Sequence, residues 1–183
     1  SRIIDPTDRE TFPLFGDAAG AVLLGPADRG HGLLAYQLGA DGSGAHLLYR
    51  AAAGSRFPLT CSPEDAPNRY VHMEGRAVFR WAVKTIGDST AELLHFAGVQ
   101  ADDIQMFIPH QANQRLIEAL GHRLGFPRER VYSNVHRYGN TIAASVPLAL
   151  DEALAEGRVH RGDLVLLTGF GAGLAWGSLL LRL

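Results

Sequence analysis

Two apolar runs near the end of the chain, residues 164–168 and 174–181, constrain its fold most. A stretch that is apolar at successive positions has no polar face to offer solvent, so both read as strands buried on both faces. Only Gly169-Phe170-Gly171-Ala172-Gly173 separates them. That bend is too short for a helical crossover, which makes the pair antiparallel. Upstream, helical and strand-like patterns alternate, the mark of an α/β chain with a mostly parallel sheet. There is no internal repeat, low-complexity tract or evident linker, so residues 1–183 read as one unit.

The earlier elements follow from local signals. Residues 15–20 form a small-residue loop before a strand-like run at 21–24, and residues 32–38 suggest a second strand closed by a glycine-rich loop at 39–44. A short strand is expected at 47–49. Pro58, Pro63 and Pro67 mark a long irregular connection. A helix is predicted over 75–97, with Val78, Phe79, Ala82, Ile86, Ser89, Leu93 and Phe96 as its apolar stripe and Gly98 as its cap. Residues 106–108 form a strand, and Pro109 biases Ile108 toward extended backbone. A helix from Asn113 ends near Gly125, with Pro127 beyond it. Residues 131–133 suit a short strand. Thr141 opens a helix to about Ala155, and Pro147 inside it predicts a kink or a late start.

This arrangement delivers His110 to the mouth of a strand and the start of a helix, where reactive groups of open α/β sheets collect. A histidine there is either a hydrogen-bonded structural residue or a functional one. Asn113 reads first as an N-cap, whose amide still serves a ligand. Asn140, in Tyr138-Gly139-Asn140, reads first as a turn residue. The bend at 169–173 lacks dinucleotide spacing and precedes a strand, so it is no phosphate cradle; it fits a tight turn and can aim backbone N–H groups at an oxyanion.

Composition removes other classes. A net charge of -2 gives no reason to expect nucleic acid or an anionic membrane, and no apolar run is long enough to span a bilayer. The single cysteine, Cys61, excludes an intrachain disulfide framework and points to a reducing cytoplasm. It lies in an irregular stretch with no strand-to-helix elbow to lower its pKa, so it is not read as a nucleophile. The eight histidines show no metal-ligand spacing. The cluster Arg123, Arg128, Arg130 and Arg137 reads as a solvated face; with Arg115 it also suits a basic rim for an acidic partner.

Three motifs together resemble β-ketoacyl-acyl-carrier-protein synthase III. They are Pro109-His110-Gln111-Ala112-Asn113; Tyr138-Gly139-Asn140-Thr141 with Ala143-Ala144-Ser145-Val146-Pro147; and residues 169–177. The likeness continues upstream through residues 15–21 and 72–79. It implies the carboxy-terminal half of a thiolase-fold subunit, a layered α/β/α unit, homodimeric when complete. The nucleophilic cysteine of the family lies in the amino-terminal half, which this sequence lacks, so the chain alone is expected to be inactive. The implied reaction is a decarboxylative Claisen condensation that starts type II fatty-acid synthesis. His110 and Asn140 match the catalytic pair, and the backbone N–H of Ala172 matches part of the acyl-thioester oxyanion hole. Asn113, Met73, Gly75 and Phe79 match pantetheine- or acyl-binding positions. Gln111, Ala112, Asn113, Gln114 and Arg115 match the segment that meets the acidic acyl carrier protein, with Arg115 the leading cation. No metal or organic cofactor is implied; acyl-CoA and the carrier's phosphopantetheine arrive as substrates. Two other readings stay open: a relative that makes polyketide starters, quinolones or esters, and a non-catalytic half that serves only binding or dimerisation.

Overall fold

The computed structural model describes residues 2–55, 57–58 and 69–183. Its centre is a four-stranded sheet in the order β1 (Gly32–Ala40), β6 (Ala175–Arg182), β5 (Leu164–Gly171), β4 (Met106–Pro109). The tight bend after β5 returns the chain antiparallel as β6, as the glycine-rich link requires. β4 runs parallel to β5, while β1 adds antiparallel to β6. The sheet is therefore mixed, with a smaller parallel share than the helix–strand alternation suggests. A separate pair, β2 (Leu48–Arg50) and β3 (Val71–Met73), lies beside the site described below.

Period-two alternation divides the core into two layers. On one face Phe107, Leu164, Leu166 and Leu180 pack with Ala82, Ile86, Leu93, Leu116 and Leu120 from α1 (Gly75–Ala97) and α2 (Gln114–Arg123). On the other, Met106, Ile108, Val165 and Leu167 pack with Ala149 and Ala153. These alanines belong to α4 (Ser145–Ala155), which follows the single-turn α3 (Val135–Tyr138). The result is a layered α/β/α arrangement. Both faces of β4 are occupied, so all four of its residues are buried. Each large apolar side chain so placed is worth roughly 1.5–3 kcal/mol.

Most predicted helix limits hold because their caps are local. α1 ends where Gly98 adopts φ 67° and its N–H reaches the His95 and Leu94 carbonyls. Phe96, assigned to the buried stripe, is 89% exposed; the stripe steps from Leu93 to Ala97 instead. The helix predicted from Thr141 starts late. Residues Ile142–Ala144 form a 3-10 turn, and α4 begins at Ser145, which puts Pro147 in the first turn, where no N–H is needed. The strand expected at 131–133 is a single bridge, Val131 to Phe107. Residues 21–24 form no strand: no neighbouring strand pairs with them among the described residues, and a strand without a ladder is not stable. The loop expected at 39–44 is instead the end of β1 and the 3-10 turn Gly42–Leu47, capped by Asp41. Cys61 lies outside the described residues.

Candidate active site

β4 terminates at Pro109, and the next residue turns inward. The His110 N–H donates to the Thr168 carbonyl at 2.7 Å, which continues the β4–β5 register by one residue. The imidazole is 9% exposed and meets the Phe170 ring edge-on, 5.1 Å between centroids. Its Nδ1 lies 2.6 Å from the Ser145 hydroxyl. Burial pushes its pKa down from 6.5 to about 4, so the ring is neutral at physiological pH. Immediately after it, Asn113 caps α2 by accepting the Leu116 N–H at 2.9 Å through Oδ1. The amide nitrogen of Asn113 is left over from that cap.

Asn140 is held by a clasp from the start of the chain. Its N–H donates to the Leu14 carbonyl at 2.7 Å, and its own carbonyl accepts the Gly16 N–H at 3.0 Å. Gly16 is required there, because a Cβ would overlap the Tyr138 carbonyl. Gly139 takes φ 67°, and a Cβ on it would stand 2.9 Å from the Leu14 carbonyl. The Ile142 N–H donates to Asn140 Oδ1 at 2.9 Å, which leaves the amide Nδ2 as the free donor end. Ile142 does so with φ 55°, a strained conformation for a β-branched residue that costs on the order of 1–3 kcal/mol.

Behind this turn sits Glu152 of α4. It accepts from the Tyr138 hydroxyl at 2.5 Å, the Asn134 amide at 2.8 Å and Arg137 at 3.3 Å. Burial alone would raise the Glu152 pKa, but hydrogen bonds from Tyr138 and Asn134 and the Arg137 charge outweigh it and hold the carboxyl below its usual range. The same bond raises the Tyr138 phenol, because losing its proton would abandon the carboxylate. Gln111 joins the scaffold: its amide donates to the Pro109 and Tyr132 carbonyls and accepts the Asn134 N–H. These bonds connect the His110 and Asn140 segments.

His110 and Asn140 open into one cleft of about 1140 Å³ with mostly apolar walls. Met73, Gly75, Phe79, Ala112, Asn113, Gln114, Arg115 and Ala172 all border it, so the motifs separated in sequence converge. Gln111 does not. It is 1% exposed and its polar atoms are spent inside the protein, so its side chain is a scaffold element and not a carrier contact; Gln114 and Arg115 are the exposed members of that segment. Sequence reasoning missed Ser145, Ile142 and Glu152 as parts of the site. The first stood inside a quoted motif without a role, and no local pattern marks the others. Among the described residues no group of three or more His, Cys, Asp or Glu side chains is placed to hold a metal.

The 3-oxoacyl-[acyl-carrier-protein] synthase III C-terminal model matches residues 94–183, and the companion synthase III model matches residues 1–42. The chain belongs to the β-ketoacyl-acyl-carrier-protein synthase III family. The synthase III of Rhodopirellula baltica is 48% identical over all of this chain and 58% of its own length. The crystal structure of the Thermus thermophilus synthase III superposes with a TM-score of 0.88 at 46% identity, over 99% of this chain and 55% of that one. A priming β-ketosynthase from the R1128 polyketide biosynthetic pathway gives a TM-score of 0.82 at 38% identity, over 99% and 54%. The fold is thus the thiolase-like layered α/β of synthase III enzymes. The chain spans just over half the length of the synthase III relatives it matches.

Proposed function

We propose that these residues form the carboxy-terminal half of a β-ketoacyl-acyl-carrier-protein synthase III and supply its decarboxylation site. The observation that carries this reading is the pairing of His110 and Asn140 over one apolar cleft. Each has its inward polar atom tied down, Nδ1 by Ser145 and Oδ1 by the Ile142 N–H, leaving Nε2 and Nδ2 to serve the cleft. Two neutral donors in a poorly hydrated site suit a developing enolate, whose charge they stabilise without first carrying one.

In the proposed reaction an acyl group from acyl-CoA is held as a thioester on a cysteine in the remainder of the protein. The thioester of malonyl-carrier protein lies with its carbonyl oxygen between His110 and Asn140. Its carboxylate carbon–carbon bond breaks, carbon dioxide leaves, and the electron pair passes into the enolate held by the two donors. The resulting carbanion attacks the acyl thioester and the cysteine sulfur departs. The Ala172 N–H supplies part of the oxyanion hole for that second step. Asn113, Met73, Gly75 and Phe79 guide the pantetheine arm, and Arg115, with Ala112, Asn113 and Gln114 beside it, meets the acidic carrier. CoA and pantetheine enter as substrates, and no resident cofactor takes part. The complete subunit acts as a homodimer.

The test is condensation by the full-length protein with malonyl-carrier protein and a panel of acyl-CoAs. β-Ketoacyl-carrier protein formed from acetyl-CoA is the expected product; no product with any primer overturns the reading. The 38% identity to a polyketide priming enzyme favours a second reading, starter-unit synthesis. A strong preference for a primer other than acetyl would select it.

A further inference from the structure

Resting on that reading, we propose that Ser145 is a positioning residue that fixes the His110 tautomer, donating its hydroxyl hydrogen to Nδ1 so that the ring proton resides on Nε2, facing the cleft. Counting hydrogens carries this. Ser145 is the first residue of α4, 1% exposed, and its Oγ lies 2.6 Å from Nδ1. The same oxygen accepts the Gln111 backbone N–H at 3.3 Å. An N–H can only donate, so that bond uses one acceptor site of Oγ. If Nδ1 also donated, Oγ would accept twice, and its own hydrogen would need a third partner. Among the described residues Ser145 Oγ has no such partner, and burial excludes bulk water. A buried hydroxyl hydrogen left unpaired is strongly disfavoured.

The opposite assignment satisfies every group. Gln111 N–H donates to Ser145 Oγ, Ser145 O–H donates to Nδ1, and Nε2–H is left for a ligand oxygen. The low basicity of the ring, a consequence of its burial, keeps it in this neutral form instead of a doubly protonated one. The backbone supports the geometry from both ends: His110 N–H is fixed on Thr168, and the Ser145 position is set by the 3-10 turn that follows Asn140. The turn that presents one donor therefore also orients the other.

The experiment is nitrogen-15 NMR of the full-length protein labelled at histidine, with His110 assigned by loss of its signals in His110→Asn. The expected spectrum shows a protonated Nε2 and an unprotonated, hydrogen-bonded Nδ1. In Ser145→Ala the tautomers become mixed and malonyl decarboxylation falls about tenfold to a hundredfold, less than the loss of a whole oxyanion donor. Cysteine acylation is unchanged, and Ser145→Thr, which keeps a hydroxyl, restores the wild-type tautomer. A protonated Nδ1 in the wild type overturns the inference, whether or not a Ser145 variant folds. So does a Ser145→Ala protein with the Nε2–H tautomer intact and full decarboxylation. If the tautomer is as stated but no condensation occurs with any primer, the functional reading fails and the Ser145 assignment stands.

Discussion

The chemistry proposed for His110 depends on its being neutral, and its surroundings enforce that. Desolvation is the cause of its pKa near 4, since among the described residues no carboxylate shifts the ring. The charged form is disfavoured in the folded state relative to the unfolded chain, where an ordinary histidine titrates near 6.5. The unfolded chain therefore binds more protons between about pH 4 and 6.5. His110 adds stability that is fully present above pH 6.5 and lost as pH falls toward 4. Malonyl decarboxylation should accordingly show no ionisation of His110 between pH 6 and 8. A rate that fell with a pKa near 6.5, and lost that dependence in His110→Gln, would contradict the buried neutral ring.

The turn from Tyr138 to Ile142 works as an element because two others hold it and its own last residue orients it. Residues 14–16 clasp its backbone, Glu152 of α4 takes the Tyr138 hydroxyl, and Ile142 spends strain to orient the Asn140 amide. Gly16→Ala would drive a methyl into the Tyr138 carbonyl, which backbone cannot evade cheaply. The expected outcome is a folded protein, at a cost of about 1–3 kcal/mol in denaturant unfolding, with decarboxylation reduced more than cysteine acylation. Equal loss of both activities would mean that the clasp does not act on Asn140. Elements of this kind were only partly legible in the sequence. α1, α2, β4 and the β5–β6 pair were readable because periodicity and caps such as Gly98 and Asn113 are local. His110 and Asn140 were readable as candidates because their motifs resemble a family, and the fold brings both to one cleft. Ser145, Glu152 and the inward turn of Gln111 were not, since each depends on partners 14 to 35 residues away.

At the scale of the molecule, α4 covers the faces of β4 and β5 but not that of β1. Tyr36 and Leu38 stay exposed there, and the run at 21–24, read as a strand, is bare, with Leu23 99% exposed. Among the described residues, a strand signal without a partner strand and a sheet face without a covering layer both suit an interface. Together with relatives nearly twice as long, they fit the proposed division of labour, in which the remainder of the protein brings the nucleophilic cysteine to this cleft. That division makes the central claim separable by experiment: acylation belongs to the cysteine, decarboxylation to His110 and Asn140. The direct measurement is carbon dioxide release from malonyl-carrier protein by the full-length protein, alongside intact-mass detection of the acyl-enzyme. The wild-type protein should do both. His110→Ala and Asn140→Ala should each lose about a hundredfold to a thousandfold in carbon dioxide release and still acylate fully. Carbon dioxide release at the wild-type rate in either variant would contradict the account.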